Sequence, residues 1–373
     1  MANQKLDLIT NIKGLNSIRT FLILLLFYGC NAFANDGAFY MNGNHLIPIV
    51  ESEISVKKEV LTIKRIANDY LQITVSYIFN NPNEAKNILV GFEAPSPSGD
   101  VNGTPIDGKH PYISNFSVKL NGVNLAYKTA LVTDKEYYKG GKIISKSVEE
   151  AMGEYFSEND ADFYYVYHFN AAFKKGLNTI VHTYNFKLSS SVMEMYSFGY
   201  ILTAANRWAN NGIDDFTLII DLGDFQYYEI LRSFFTQNSD WMLDGKVIGN
   251  GNTPKVYVNH GAIIYTKKNF HPKGELFISA PYRLELFEIK EFDSKIHQLP
   301  FRINEGLHIL KSVNSNSHKI LRNLPYARRG YIFKTSFIQA YYKTQNWYTP
   351  NPSYVSNLSD LTKEEKMWLQ KLN

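Results

Sequence analysis

The sequence predicts a mainly β protein, with antiparallel, sandwich-like sheets in two packed units and a small all-α domain at the C-terminus. Three observations predict this class. Apolar and polar residues alternate with period two in stretches such as Leu71–Phe79, which is typical of half-buried strands. Short runs of this kind recur between turns up to about residue 290. From residue 296 onward, start and stop signals of helices replace the alternation.

Residues 1–34 have the pattern of a secretory signal peptide. Three basic residues precede the apolar segment Phe21–Cys30, and Ala32-Phe33-Ala34 provides a small-x-small cleavage site. The unbroken apolar run Phe21–Tyr28 is far shorter than the ~20 residues that a transmembrane helix needs. We therefore expect an exported protein, periplasmic or extracellular, that is cleaved after Ala34 and has no transmembrane helix in its mature chain.

Cys30 is the only cysteine of the sequence and lies inside this segment. Cleavage after Ala34 would leave a mature chain without disulfides and without cysteine-bound metal, which suits an oxidising compartment. The alternative is a lipoprotein in which Cys30 is lipidated and becomes the first residue. Phe27-Tyr28-Gly29 argues against it, because an aliphatic residue followed by small residues usually precedes such a cysteine.

The first β unit, sandwich-like, is predicted over residues 35–132. Its alternating stretches predict three strands of an antiparallel meander, Val60–Ile66, Leu71–Phe79 and Asn87–Phe92. The turn cluster Asn80–Asn83 ends the second of these strands, because its proline cannot continue a ladder. Asn121-Gly122, between alternating residues, predicts a tight β-hairpin.

A second β-rich unit is predicted over residues 163–295. Its strand-like runs are Ile180–Leu188, Phe216–Leu222, Lys255–Val258, Ile263–Thr266, Leu276–Ser279 and Leu284–Ile289. Between the units, residues 133–162 form an acidic insertion in which SVEEAMGEYF predicts a short helix. We expect this insertion to be surface decoration; a weak calcium site would require its carboxylates to converge.

Three stretches of the body carry a family resemblance. They are NDGAFYMNGNHLIPI at Asn35–Ile49, the strand that ends in NNPN, and LTAANRWANNGIDDFTLIIDLG at Leu202–Gly223. Together they resemble an exported bacterial family that is catalogued only as a domain of unknown function. The resemblance covers much of residues 35–290, implies export and β structure, and implies no chemistry.

Residues 296–373 are predicted to form the helical domain. Thr362 and Glu365 have the spacing of a capping box that opens a final helix, with Met367 and Trp368 on its buried face.

Upstream, five residues at steps of three and four predict one helical stripe, continuous or broken near Thr335-Ser336: Tyr326, Gly330, Phe333, Phe337 and Tyr341. On this stripe Gly330 would let a neighbouring element approach closely. Pro325 suits the first position of a helix.

The stretch LRNLPYARRGYIF is followed by NWYTPNP at Asn346–Pro352 and by the capped final helix. These motifs, in this order, closely resemble the bacterial YARHG domain, a small extracellular helical module named for the motif that Tyr326-Ala327-Arg328-Arg329-Gly330 occupies here. Arg329 stands where the family name has histidine, so a role that needs an imidazole does not carry over. The resemblance implies an extracellular helical module and no established activity.

Arg328, Arg329, Trp347 and Tyr348 are the candidate binding residues. Guanidinium groups bind phosphate or carboxylate with two hydrogen bonds and stack on aromatic rings. Residues 296–373 carry eleven basic against four acidic residues, so the expected partner is an anionic cell-wall polymer or another envelope protein. In the alternative, the arginines pair internally and the aromatic residues form the small domain's core.

No catalytic residue, cofactor or metal site is expected. The sequence lacks the HExxH, GxSxG and Walker A motifs, and its histidines are scattered singly. We interpret His182, on the apolar face of a predicted strand, as a satisfied core histidine. Nucleic acid is not an expected partner either, because one modest basic module lacks the usual electrostatic footprint.

Three hypotheses of function remain. The first is a non-enzymatic envelope protein that binds a surface polymer or another envelope protein. The second is a cell-wall or glycan hydrolase with a pair of carboxylates in the β body, about 5–9 Å apart. The third is a purely structural surface component whose C-terminal domain only packs on the body. Burial of Arg328, Arg329 and Trp347 would favour the third.

Overall fold

The computed structural model describes residues 45–49, 53–97, 102–133, 136–153, 163–191, 193–282, 289–303 and 311–372. It confirms the mainly β fold class, with antiparallel and mixed sheets and small C-terminal helices. The predicted signal peptide, with Cys30 and Ala34, and most of the predicted strand Leu284–Ile289 lie outside the described residues. Within the described ranges, no helix combines the length and the hydropathy needed to cross a membrane.

The strands, in chain order, are β1 His45–Pro48, β2 Ser55–Ala67, β3 Tyr70–Asn81, β4 Lys86–Pro95, β5 Ile113–Leu120, β6 Val123–Asn124, β7 Lys128–Val132, β8 Tyr138–Lys139, β9 Lys142–Ile143, β10 Tyr164–Phe173, β11 Gly176–Lys187, β12 Glu194–Tyr200, β13 Ile213–Asp221, β14 Gln226–Ile230, β15 Trp241–Ile248, β16 Lys255–Phe270 and β17 Leu276–Pro281. The helices are α1 Val148–Gly153, α2 Ser315–Arg328, α3 Ser336–Lys343 and α4 Lys363–Lys371. Short 3-10 turns lie at Thr203–Arg207, Asn238–Asp240 and Leu358–Asp360.

The smaller of the two main sheets has four antiparallel strands in the order β1, β4, β10, β7. The prediction that Asn87–Phe92 completes a meander with the two preceding strands is wrong, because β4 pairs with β1 and β10 and not with β3. Val90, Phe92 and Ala94 are fully buried at alternate positions of β4. Burying this apolar face against the larger sheet places the strand in a second layer.

The larger sheet has eleven strands in the order β12, β17, β14, β16, β13, β2, β3, β11, β5, β6, with β15 also pairing with β16. All its pairs are antiparallel except β2 with β13, which run parallel from Val56 opposite Ile213 to Lys64 opposite Asp221. Through this pair, strands from residues 35–132 and 163–295 share one sheet. Hydrogen bonds thus join strands from both predicted units. The division of the body at residues 133–162 stays a prediction.

The two sheets pack face to face through aromatic side chains. The ring of Phe92 lies 5.0 Å from those of Phe116 and Tyr184, and 5.5 Å from the imidazole of His182. His182 is fully buried, as predicted, but neither of its ring nitrogens has a hydrogen-bond partner. It is therefore a core histidine without the satisfied polar contacts that the sequence interpretation assumed.

Turn residues act as predicted in one hairpin, and one glycine joins two predicted strands into one. Asn121 and Gly122, with φ of 49° and 83°, form the two-residue connection between β5 and β6. The runs Lys255–Val258 and Ile263–Thr266 belong to a single strand, β16. Gly261 has a φ of 71°, a conformation that glycine adopts without steric cost, so the chain continues through the irregularity.

The predicted helical stripe is broken, because α2 ends at Arg328 and α3 begins at Ser336. The expected first-position role of Pro325 is wrong, since Pro325 lies inside α2, which begins at Ser315 after the N-cap Asn314. A proline there has no N–H for the carbonyl of Leu321 four residues earlier. That carbonyl instead accepts a hydrogen bond of 3.2 Å from the indole nitrogen of Trp368 on α4.

The final helix begins as predicted. Thr362 and Glu365 form a capping box at the start of α4, in which each side chain bonds the backbone N–H of the other residue. Trp368 is buried, whereas Met367 is 45% exposed, so its predicted burial is wrong. Glu365 takes its place as a fully buried residue of the first turn.

The helices share a hydrophobic core with one end of the β body. Phe225, Tyr227 and Tyr257 of the body belong to the same buried cluster as Leu324 and Trp347 of the C-terminal domain. The ring of Phe301 lies 5.5 Å from that of Tyr257 and 5.7 Å from that of Trp347. Body and C-terminal domain therefore share part of one hydrophobic core.

Candidate functional site

Arg328 and Arg329 stand at the end of α2, and both reach Glu365 at the start of α4. Nη1 of Arg328 lies 2.9 Å and Nη1 of Arg329 lies 2.7 Å from the same carboxylate oxygen, Oε1. The other oxygen accepts the Thr362 backbone N–H at 2.9 Å, within the capping box. These three charged side chains, the Arg–Glu cluster, are 4%, 6% and 0% exposed for Arg328, Arg329 and Glu365.

The glycine of the motif ends α2 and lets the chain fold back. Gly330 has a φ of 79°, its N–H donates to the carbonyl of Ala327, and the N–H of Tyr331 donates to that of Tyr326, the pattern of a Schellman cap. A Cβ at this position would lie 2.3 Å from the carbonyl oxygen of Thr349. The prediction that Gly330 permits a close approach is therefore confirmed.

Phe225, in the turn between β13 and β14, connects the Arg–Glu cluster to the β body. Its ring faces both guanidinium groups, 4.3 Å from that of Arg328 and 4.4 Å from that of Arg329. Phe225 has a φ of 52°, a conformation that costs a bulky residue of order 1–3 kcal/mol. Its burial between two cations and the ring of Phe301 offsets this strain.

Charge inside this cluster is only partly balanced. Burial lowers the pKa of Arg328 to about 10, and the carboxylate of Glu365 counteracts part of this effect. Arg329 further donates to the carbonyls of Pro325, at 2.8 Å, and Asp360, at 2.7 Å. Two cations on one carboxylate leave one formal positive charge at the junction between body and C-terminal domain.

Trp347 and Tyr348 are also engaged internally, and each is 6% exposed. The Trp347 indole nitrogen donates to the carbonyl of Leu299 at 2.9 Å, and the Tyr348 hydroxyl donates to that of Tyr331 at 2.8 Å. All four residues predicted to bind a ligand thus belong to the buried centre of the C-terminal domain. Their role in binding stays a prediction, and it requires a ligand that reaches them from inside the junction.

A cleft of about 420 Å³, the junction cleft, opens between the body and the C-terminal domain. Its volume is in the usual range for small-molecule sites. Both parts of the chain contribute to its lining, with Arg65, Asn68, Met195, Tyr196, Asp224, Phe225, Gln226 and Tyr282 on one side and Arg302, Ile303, Arg328, Thr362 and Glu364 on the other. Arg328 is therefore shared between the cleft and the Arg–Glu cluster.

Four residues that line the cleft carry buried polar atoms without a hydrogen-bond partner. These atoms are Nε of Arg65, Oη of Tyr196, Nη1 of Arg302 and Nε of Arg328. Each exposes less than 1 Å², so bulk water does not compensate for the missing bonds. Because buried donors are nearly always satisfied in folded proteins, several orphans at one cleft call for a functional explanation.

Arg302 is the clearest of these. Its residue is 7% exposed, its Nη2 donates to the carbonyl of Pro281 at 2.7 Å, and its guanidinium lies 5.6 Å from the ring of Tyr227. Burial lowers the pKa of Arg302, and the neighbouring Arg65 lowers it further. In the part of the chain that the structure describes, neither Arg302 nor Arg65 belongs to an ion pair.

Arg65 and Tyr196 adjoin Arg302. The Arg65 guanidinium lies 4.3 Å over the ring of Tyr196, and its Nη2 donates to the carbonyl of Asn68 at 2.9 Å. Burial raises the pKa of Tyr196, and the charges of Arg65 and Arg302, together with the approach of the Arg65 side chain to the hydroxyl, partly oppose that rise. We call Arg65, Tyr196 and Arg302 the arginine–tyrosine cluster.

Two exposed carboxylates, Asp224 and Glu364, also line the cleft. Partial burial would raise the pKa of Asp224, but the backbone N–H of Gly261 and the side chain of His260 outweigh it and hold this pKa below its usual value. Its own backbone N–H and the Thr362 side chain likewise lower the pKa of Glu364. Both carboxylates are therefore ionised at neutral pH.

Sequence reasoning missed the arginine–tyrosine cluster, although one signal was present. Leu61, Ile63 and Arg65 follow one another at alternate positions of β2, so the apolar face of this strand ends in an arginine. A charged residue that continues a buried face needs a partner or a cavity. Arg302 follows no such pattern, and Tyr196 lies in a strand that was not predicted.

Residues 308–373 match the family model of the YARHG domain, which confirms that resemblance over these residues. YARHG domains occur in exported proteins. The resemblance of the preceding residues to a domain of unknown function stays a prediction. Among curated proteins, none matches the chain. In the described ranges, no group of three or more potential metal ligands occurs.

Several solved structures are similar to this chain at a low level. A candidate nutrient-binding protein from Legionella pneumophila is 17% identical, with 91% of this chain and 99% of that chain covered and a TM-score of 0.44. An M1 zinc metallopeptidase from Deinococcus radiodurans is 8% identical, with 61% and 42% covered and a TM-score of 0.26. Baculovirus P35 is 11% identical, with 61% and 97% covered and a TM-score of 0.26. At these TM-scores, none of the three supports a functional argument.

Proposed function

We propose that the protein is an exported, non-enzymatic binding protein whose ligand site is the junction cleft. The observation that carries this proposal is the set of buried, unpartnered polar atoms on residues that line a cavity of about 420 Å³. Tyr196 and Phe225 supply aromatic walls, and the arginines supply charge. This combination of apolar lining and a few convergent polar groups is typical of small-molecule sites.

For the Arg–Glu cluster itself, we propose a structural role. Arg328 and Arg329 bind Glu365, backbone carbonyls and the Phe225 ring, which leaves little of either guanidinium for a polymer on the outer surface. This arrangement favours the hypothesis that the C-terminal domain packs on the body. The packing in turn builds one wall of the junction cleft, so a structural module and a binding protein are compatible.

The rival hydrolase hypothesis finds less support at this cleft. A glycosidase-type pair needs one carboxylic acid that keeps its proton near neutral pH and one ionised carboxylate. Asp224 and Glu364 both have lowered pKa values, so neither is poised to donate a proton.

The proposal is tested with the full mature chain, because the C-terminal domain shares its core with the body. Melting temperature is measured against a panel of neutral, anionic and cationic small molecules, and binding to isolated cell-wall material is measured by sedimentation across a salt series. Asn68→Trp, at an exposed turn residue that lines the cleft, is used to fill it. Asp69→Trp is the matched control, on the next exposed turn position and outside the cleft lining.

We expect at least one small molecule to raise the melting temperature of the parent and of Asp69→Trp but not of Asn68→Trp. If instead the protein binds only cell-wall material, and Asn68→Trp binds it as well as the parent does, the junction cleft is not the site. The same conclusion holds if no compound raises the melting temperature.

A further inference from the structure

The charges around the junction cleft do not cancel. Four arginines line the cleft or join the Arg–Glu cluster, namely Arg65, Arg302, Arg328 and Arg329. Three carboxylates oppose them: Glu365 is fully buried between two of the arginines, whereas Asp224 and Glu364 are exposed. One formal positive charge remains, and the arginine–tyrosine cluster is the part that has no ion pair within the described residues.

We propose that the arginine–tyrosine cluster binds the carboxylate group of a small, singly charged organic acid. This inference rests on the proposed function, since it names the class of ligand for the same cleft. A carboxylate supplies the acceptors that Nε of Arg65, Nη1 of Arg302 and the hydroxyl of Tyr196 lack. Side-chain rotations, which are common on binding, bring these shielded atoms to the ligand.

The surroundings of the cluster define the rest of the ligand. Tyr196 and Phe225 line the cleft with aromatic surface, and Ile303 adds an aliphatic side chain. The apolar or aromatic part of an organic acid can therefore pack on these side chains while its carboxylate binds the arginines. The Arg65 guanidinium lies over the ring of Tyr196. A carboxylate that binds Arg65 is therefore also next to Tyr196.

Asp224 and Glu364 favour a ligand with one negative charge over a ligand with two. Both are ionised and both line the cleft, so a ligand with a second negative charge would meet repulsion there. The same repulsion acts on a polyanionic polymer. The cleft thus selects against phosphate monoesters and anionic wall polymers, while a monocarboxylate neutralises the one charge left over.

Isothermal titration of the full mature chain with three ring compounds tests the proposal, at pH 7 and constant ionic strength. The probes are benzoate, benzamide as its neutral counterpart, and phenyl phosphate as its doubly charged counterpart. We expect benzoate to bind at least about tenfold more tightly than either of the others, in line with a charge-assisted hydrogen bond that only it can form without repulsion. Tighter binding of benzamide or of phenyl phosphate than of benzoate would overturn the assignment.

Two variants test the residues. Arg302→Gln is expected to weaken benzoate binding at least about tenfold, and Tyr196→Phe, which removes only the hydroxyl, about threefold to tenfold. Without ligand, Tyr196→Phe should not lower the melting temperature, because it removes a buried hydroxyl that lacks a hydrogen-bond partner. Arg302→Gln also loses the hydrogen bond from Nη2 to the carbonyl of Pro281, so for this variant only the binding of benzoate is compared. Arg207→Gln is the control, since Arg207 pairs with Glu93 on the body and does not line the cleft.

The two proposals fail in different ways. A neutral compound that binds the parent and Asp69→Trp but not Asn68→Trp, with Arg302→Gln unchanged, retains the cleft and rejects the carboxylate. Benzoate binding that survives Asn68→Trp rejects the cleft itself. A loss of melting temperature in ligand-free Tyr196→Phe would show that the hydroxyl supports the fold, and would also overturn the assignment.

Discussion

A proline inside α2 provides one of the contacts between α2 and α4. Pro325 leaves the carbonyl of Leu321 without its usual helical partner, and the indole of Trp368 takes the vacant acceptor. The proline was read from the sequence as a helix start, because local rules favour it there. The Trp368 indole on α4, 47 residues after Leu321, supplies the hydrogen bond that the proline cannot. This partner compensates for the proline inside α2.

This pairing predicts a coupling between the two residues. Trp368→Phe should lower the free energy of unfolding by about 1–3 kcal/mol, because the Leu321 carbonyl is then left without a partner in the core. In a Pro325→Ala background the new N–H takes that carbonyl, so the same substitution should cost less. Urea unfolding of the double-mutant cycle measures the difference, and additive effects would contradict the coupling.

Glu365 is the carboxylate that pairs with both arginines of the motif Tyr326–Gly330. Glu365→Gln leaves two buried guanidinium groups without a counterion, and breaking a buried ion pair typically costs about 3–5 kcal/mol. Glu364→Gln, one position earlier and exposed, should change stability by no more than about 0.5 kcal/mol. Chemical unfolding compares the two variants. Equal effects would mean that the Arg–Glu cluster adds no net stability.

At the scale of elements, strands with one polar face were predictable and strands buried on both faces were not. β3 and β11 alternate buried and half-buried positions along their length, and the sequence shows the same period. β12 has five consecutive buried residues at its end, so its sequence lacks alternation. β4 was found but assigned to the wrong layer, because alternation gives the face of a strand and not its neighbours.

The same limits applied to the site. Arg328 and Arg329 were identified from a local motif, and their burial depends on Phe225, about a hundred residues earlier in the chain. Tyr196 and Arg302 come from two separate segments, and the contacts of Arg302 with Pro281 of β17 and Tyr227 of β14 bring them to the same cleft. The turn and cap of a helix depend on neighbouring residues, so a sequence motif predicts them. The cleft is lined by residues far apart in the chain, so no short sequence pattern predicts it.

The inward face of β2 carries Glu59 at one position, which predicts that stability declines as pH rises from about 4.5 to about 8. Burial raises the pKa of Glu59 to about 8, whereas an unfolded glutamate loses its proton near 4.5. Between these values the folded state holds a proton that the unfolded state releases, so stability falls as pH rises, by up to about 1.4 kcal/mol per pH unit.

The measurement is urea unfolding between pH 6.5 and 8. Glu59→Gln, which mimics the protonated form, should remove the decline in this window. A slope that persists in the variant would assign the decline to another group. Glu53→Gln is the matched control, because Glu53 is exposed and should leave the slope as it is.

Across the whole molecule, two buried histidines predict sensitivity to acid. Burial lowers the pKa of His110 and of His182 to about 3, and an unfolded histidine binds its proton near 6.5. As pH falls from 6.5 toward 3, the unfolded state takes up protons that the folded state refuses, so stability is lost. His182→Phe should reduce the slope by about one proton, measured by unfolding at pH 4–6.5; His168→Phe, at a half-buried position, should reduce it less.

The shared core predicts that the C-terminal domain is not an independent folding unit. A chain of residues 296–373 would leave Phe301, Leu324 and Trp347 without Phe225 and Tyr257. We expect this fragment to show poorly dispersed amide signals in NMR and no cooperative thermal transition, and we expect the full chain to melt cooperatively. A well-dispersed spectrum of the fragment would contradict the role given to the shared core.

For a chain that is delivered N-terminus first, as in synthesis, this shared core sets an order of folding events. Phe225, Tyr227 and Tyr257 arrive before the helices that cover them, so the body exposes aromatic surface until the last seventy or so residues have been delivered. A chain truncated before these helices would keep that aromatic surface exposed. The burial of Phe225, Tyr227 and Tyr257 is therefore a late step of folding, since it needs the helices that come last along the chain.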